Sequence, residues 1–320
     1  MRDSRFELGR IISMLLIVIF HVAVVIPDLR DLSFCEKSFL YSIGSWGILG
    51  VNYFVLLTAY FASRTSYYFD RPTHKTLMRL GKLISQSYVY IFVALALLFL
   101  LGKICVKGIL SHALFAPLFM DTYWFVWAYV GLILLQPILE KILAFRNRYQ
   151  FGLICVLIVL LNTYPSHSRT PTDILWFVLI YMFYRYIFEN KSVYATISKN
   201  AVVGFATLTI FITICLLVED YCLLNFKSQY KILDTYINVK RYSLLLVVDA
   251  VFFFAMFEKM KCFHNKVVNR FATSMFGIYL FHNCNYLDLR TIIPMHYICY
   301  YSCISTLFIS TIILCVGGYL

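Results

Sequence analysis

Arg10 and His21 stand eleven residues apart in the first apolar part of the chain. A guanidinium is a natural anion holder, and an imidazole exchanges protons near neutral pH. Eleven steps of about 100° return a helix to within about 20° of its starting azimuth after three turns, so both side chains share one face. Their axial separation is roughly 16 Å, too far for direct contact but suited to one elongated ligand passing both. His21 lies roughly 15 Å into a hydrocarbon core of about 30 Å, close to the midplane if the run crosses a bilayer. An ionisable side chain there is expensive and normally faces a bundle interior or a water-filled cavity, which marks a functional position. A neutral histidine hydrogen-bonded to a neighbouring helix is the structural alternative. Without His21, Arg10 would read as a snorkelling anchor at the inner membrane edge.

Three further groups carry chemistry. Arg79 and Lys82 stand three apart at the head of an apolar run, on neighbouring faces of a helix, where they could clamp an anionic group or simply anchor the span. The segment Tyr123-Trp124-Phe125-Val126-Trp127-Ala128-Tyr129 offers aromatic faces to a sugar or to the membrane interface. Gly277-Ile278-Tyr279-Leu280-Phe281-His282 sets a second histidine near the outer end of a late span, where physics alone favours a structural role.

The elements that must position these residues are membrane helices. Of 320 residues 61% are hydrophobic and only 14% charged, and long stretches without charge recur along the whole chain. No soluble core needs that much apolar surface, so lipid is the simplest solvent. Apolar runs at 11–27, 45–63, 83–102, 124–140, 150–163, 173–189, 201–218, 242–257, 271–284 and 297–319 predict an all-α, polytopic integral membrane helix bundle of about ten transmembrane helices. Residues 1–320 form a single domain in this reading. With the N-terminus inside, inner connections hold 18 of the 28 Lys and Arg and outer ones hold 10, which places both termini in the cytoplasm.

The net charge of +12 is spread over several short inner connections rather than gathered on one face, so no nucleic-acid partner is expected. Arg2, Arg5 and Arg10 before an apolar run imitate a signal peptide, but Ile26-Pro27-Asp28 is no small-residue cleavage site and further hydrophobic segments follow. The ten cysteines form no CxxC and no Cys/His ligand spacing, so they read as apolar packers and no metal is expected. The one long outer connection, about 219–241, carries Tyr221, Phe226, Tyr230 and Tyr236 and reads as an interfacial loop or a cap over a substrate.

Arg10 with His21 forms the Arg-x10-His pattern of the first helix of membrane acyltransferase family 3, which the chain resembles along its length. Val51 to Phe61, including Asn52, is similar to the family's second-helix segment, with Thr58-Ala59 in place of Ser-Gly. Arg79 and Lys82 match the family's Arg-x-x-Arg, with lysine second. Tyr123-Trp124-Phe125-Val126 and the Gly277 to His282 segment resemble family segments in the same order.

The resemblance implies transfer of an acyl group, usually acetyl, from cytoplasmic acetyl-CoA or another acyl-CoA to a hydroxyl of a cell-envelope polysaccharide or lipid-linked glycan. It further implies a multi-pass protein of the bacterial inner membrane, with polysaccharide-assembly machinery as a possible partner. His21 and Arg10 would be catalytic, Arg79 and Lys82 would bind the acyl-CoA, and Asn52, Trp124, Tyr279 and His282 would line the acceptor site or pore. A hydroxyl attacking a thioester needs a base, and His21 is the candidate; it could also carry the acyl group itself. A transporter or flippase is the alternative from another class, because buried ionisable residues also line transport paths. A catalytically dead scaffold is a third.

Overall fold

The computed structural model describes residues 2–25, 34–64, 74–100, 123–144, 148–163, 169–225 and 243–282. Among them every regular element is helical and none is a strand. In chain order the helices are α1 (Ser4–Val25), α2 (Phe34–Arg64), α3 (His74–Leu100), α4 (Trp124–Ala144), α5 (Arg148–Thr163), α6 (Arg169–Glu189), α7 (Lys191–Lys199), α8 (Ala201–Asn225), α9 (Leu244–Lys259), α10 (Lys266–Thr273) and α11 (Met275–His282).

Three described helices contain a segment long and apolar enough to cross a membrane: Ser45–Arg64 in α2, Trp124–Ala144, which is α4, and Ala201–Val218 in α8. The expected kind of element is present, and three of the expected spans are seen among the described residues. The run 297–319 lies outside the described residues. Helix α8 continues to Asn225, into the segment expected to be a connection; residues 226–241 also lie outside the described set. The apolar runs are not all free of charge: Glu140, Asp173, Arg185, Glu189 and Asp249 fall within them.

The described residues divide into two compact units. One contains those of Met1–Leu57 and Phe188–Met275, and the other those of Thr58–Ile187 and residues 276–282, which are α11 beyond its first residue.

In the first unit α1 packs on α9 and α10, and α9 packs on α7 and α8. Tyr53, fully buried on α2, sits among Phe6 of α1 and Phe253, Phe254 and Phe257 of α9, and its hydroxyl donates to the Phe6 carbonyl at 3.4 Å. Such an aromatic cluster supplies the dispersion contacts that hold helices together where lipid offers no hydrophobic drive. Close approach of α1 and α2 depends on Gly50, where a β-carbon would lie 2.4 Å from the Ser13 carbonyl oxygen. That neighbour is backbone and cannot rotate away. Gly50→Val should therefore cost about 1 to 3 kcal/mol by overpacking, read as a lower thermal midpoint with unchanged helix content. A midpoint equal to wild type would mean that α1 and α2 part without penalty.

The amino terminus is tied to the α9–α10 corner. Ser4 Oγ donates to Asn269 Oδ1 at 2.9 Å and accepts from the Asn265 amide at 2.8 Å, while the Ser4 amide donates to the Phe263 carbonyl at 3.1 Å. Arg5 Nη1 donates to the carbonyls of Glu258 and Met260 at 2.6 and 2.9 Å, closing the end of α9 with a cation where its carbonyls are exposed. The same guanidinium donates to Asp3, which holds that carboxyl below the usual carboxylate range. Asn265 starts α10 as an N-cap, accepting from the amides of Val267 and Val268. The N-terminus and the 258–270 connection thus lie at the same end of the unit.

In the second unit α3 packs on α4, and α4 meets α6 closely at Gly131, where a β-carbon would fall 2.8 Å from Ile174. Thr58 and Ala59 lie inside continuous α2, so the positions where relatives are expected to have Ser-Gly need no positive φ and alanine fits. Thr58 Oγ1 and Tyr129 Oη share a hydrogen bond of 3.0 Å.

Candidate active site

Helix α1 runs unbroken from Ser4 to Val25, so Arg10 and His21 fall on one face as their spacing requires. Arg10 is partly exposed and does not stand alone. Its Nη1 donates to both oxygens of Glu7, at 2.9 and 3.1 Å, and the Glu7 side chain is only 7% exposed. An anchoring arginine that merely snorkelled would need no buried carboxylate one turn away. Glu7 fixes where the guanidinium points and offsets the cost of a cation at the membrane edge. Sequence reasoning passed over Glu7, although an acid three residues before an arginine in a helix is a recognisable pairing signal.

His21 Nδ1 lies 2.8 Å from the Ile17 carbonyl oxygen, one turn back on α1. A carbonyl can only accept, so Nδ1 carries the hydrogen of that bond and Nε2 bears the lone pair of the neutral ring. The Phe20 ring lies beside the imidazole, with centroids 5.0 Å apart. The arrangement selects one tautomer and presents Nε2 as the nitrogen able to accept a proton.

The remaining predicted residues divide between the units. Asn52 belongs with α1, is fully buried, and donates from Nδ2 to the Leu246 carbonyl of α9 at 3.4 Å. Arg79 and Lys82 are both exposed on α3 in the second unit. Trp124 opens α4 and meets Phe177 of α6 at 6.1 Å, while Tyr279 of α11 is buried against Phe125 at 5.6 Å and Tyr123 at 6.2 Å. Tyr123 Oη donates to the Leu280 carbonyl at 3.0 Å, so the aromatic segment and the Gly277 to His282 segment are one packed cluster. Tyr123 is buried in this joint between helices, while Trp124, Phe125, Trp127 and Tyr129 are half-buried. His282 ends α11; its side chain lies outside the described set.

Two polar groups inside the helices were missed. Between α4 and α6, Tyr181 Oη donates to Glu140 Oε1, Gln136 Nε2 donates to Tyr181 Oη at 3.2 Å, and Arg185 Nη2 pairs with Glu140 Oε2 at 3.1 Å. Both charged side chains are about nine-tenths buried. Between α8 and α9, Thr209 Oγ1 donates to Asp249 Oδ2 at 3.2 Å, and Asp249 is buried. Each acid was visible as an ionisable residue inside an apolar run. Only its partner on another helix was not.

Among the described residues no group of three or more His, Cys, Asp or Glu could hold a metal ion. Chemistry at α1 would draw on a cation held by a carboxylate and an imidazole of defined tautomer, arranged along one helix face. Such an arrangement can bind a phosphorylated carrier at one end and accept a proton at the other.

The family model described as an acyltransferase domain, acyltransferase 3, matches residues 3–320. Comparison with curated proteins and with solved structures gives no match. The match favours the acyl-transfer reading over transport, and with it the chain, a membrane protein by its apolar helices, belongs to the acyltransferase 3 family.

Proposed function

We propose that the protein moves an acyl group, acetyl in the first instance, from cytoplasmic acyl-CoA to a hydroxyl of a cell-surface polysaccharide or lipid-linked glycan. The observation that carries this reading is α1, with Arg10 held by Glu7 at one end and His21 three turns along the same face with Nδ1 committed to Ile17.

The step balances without a further reactant. His21 Nε2 takes the proton of the acceptor hydroxyl as its oxygen attacks the thioester carbonyl carbon, so that a C–O bond forms and the C–S bond breaks. The thiolate of coenzyme A leaves and takes the proton from the imidazolium. Hydrogen bonding of Nδ1 to Ile17 steadies the ring through both proton transfers. Arg10 holds donor phosphate in this scheme, and Arg79 and Lys82, exposed on α3, are proposed as donor contacts from the family pattern. The aromatic cluster around Trp124 and Tyr279 offers faces to a sugar.

Purified protein supplied with acetyl-CoA and envelope glycan should release free thiol in step with glycan acylation, and Arg79→Ala should raise the apparent KM for acetyl-CoA several-fold with little loss of folded protein. An unchanged KM in well-folded Arg79→Ala would remove Arg79 from the donor site. Absence of thiol release with every acyl-CoA and glycan tried would count against the reaction itself.

In this reading about ten spans cross the bacterial inner membrane with both termini in the cytoplasm, since Lys and Arg are concentrated on that side. Cys262 is exposed in the 258–270 connection and serves as the probe. With the other cysteines replaced, Cys262 should resist an impermeant maleimide in intact cells and react after permeabilisation. Reaction in intact cells would invert the topology.

A further inference from the structure

Two short helices of the first unit, packed on α1 and α9, bury little of themselves there. Helix α7, nine residues long, buries none of them, and α10, eight residues long, buries only Ala272. Helices this short are not stable through propensity alone, and their packing on α1 and α9 leaves an outer face that a further surface can cover.

Their setting identifies that surface. Lys259 Nζ donates to the Lys199 carbonyl at 3.3 Å, joining the α7–α8 corner to the end of α9, where Arg5 and Ser4 bind the amino terminus. The membrane-crossing segment Ala201–Val218 starts two residues beyond Lys199, so this end of the unit is at the level of the bilayer boundary. Lys199, Lys259, Lys261, Lys266 and Arg270 are all exposed there. Among the acids at this end, Asp3 is occupied by Arg5. Large apolar side chains stand among these cations: Val267 is 76% exposed, and Met260, Val202 and Val203 are exposed as well. A site for a soluble polyphosphate has no use for exposed valines between its cations. A bilayer surface carrying negative headgroups above an acyl boundary satisfies both kinds of side chain at once.

We propose that this end of the first unit, formed by α7, the α9–α10 corner and α10, is a binding surface for anionic phospholipid. The lysines and Arg270 take the headgroup phosphates while Val267 and Met260 dip toward the acyl boundary.

The full-length protein reconstituted in phosphatidylcholine vesicles containing phosphatidylglycerol provides the test, with a photoreactive group on either lipid and labelled peptides mapped by mass spectrometry. Peptides covering 259–270 should be labelled by the phosphatidylglycerol probe in excess over the phosphatidylcholine probe, with the excess shrinking at high salt. Lys261→Ser, Lys266→Ser and Arg270→Ser should each lower the preference about fivefold, as expected for a cation near an anionic surface. Val267→Ser should instead reduce labelling by both probes and leave their ratio intact. Each residue is exposed, so each variant should fold. Equal labelling by the two lipids, or an unchanged preference in the charge variants, would overturn the proposal. Displacement of the phosphatidylglycerol probe by soluble coenzyme A would also overturn it and assign the surface to free phosphate.

Discussion

His21→Ala should leave the protein inserted and folded while acyl transfer falls by about two to four orders of magnitude, the usual contribution of a positioned proton acceptor. The hydrogen bond from Nδ1 to Ile17 lies within α1. What the variant loses is Nε2, the nitrogen left to take the acceptor proton. Arg10→Ala should impair transfer too, with at least part of the loss in donor affinity, because contacts to phosphate form before the chemistry as well as during it. Glu7→Gln should act through Arg10 in the same direction and more weakly, since the amide leaves the guanidinium in place but less firmly held. Turnover must be normalised to folded, membrane-inserted protein. If His21 were only a packed core residue, His21→Ala and His21→Gln would lower expression or the thermal midpoint and keep turnover per folded molecule. Near wild-type turnover in both would sink the mechanism.

Arg185→Leu should be among the most destabilising single changes in the second unit, at about 3 to 5 kcal/mol. It leaves the Glu140 carboxylate buried against Tyr181 and Gln136 with its countercharge gone. Its own side chain is deeply buried, so water cannot make good the loss. Glu140→Gln combined with Arg185→Leu should recover much of the deficit, because removing both charges also removes the penalty for burying one alone. Thermal unfolding of the two single variants and the double variant in detergent, treated as a double-mutant cycle, separates the pair energy from the cost of a stranded charge. A single variant as stable as wild type would show that Glu140 finds its compensation elsewhere.

Legibility varied with the kind of information each feature needs. The helical class and the shared face of Arg10 and His21 were readable, since apolar run length and an eleven-residue interval depend only on local helix geometry. Glu7 was equally local and could have been found by asking which acid lies three or four residues from each charged candidate. Asn52 and Tyr279 were read as possible lining residues. Their burial, with Asn52 against Leu246 and Tyr279 against Phe125, follows from helix packing that an apolar pattern does not encode.

The sequence by itself determined a chain of apolar helices, the positive bias of one set of connections, the Arg-x10-His face and the family resemblance that the domain match bears out. Each is a property of neighbours along the chain, where composition and a fixed rise per residue suffice. Only the tertiary structure decided which buried charges find partners: Arg185 with Glu140 across α4 and α6, Asp249 with Thr209 across α8 and α9, and Arg5 on the closing carbonyls of α9. The physical reason is that an ionisable group in an apolar setting must be compensated. The side chain that does so can come from any helix that packing brings alongside, at any distance in sequence.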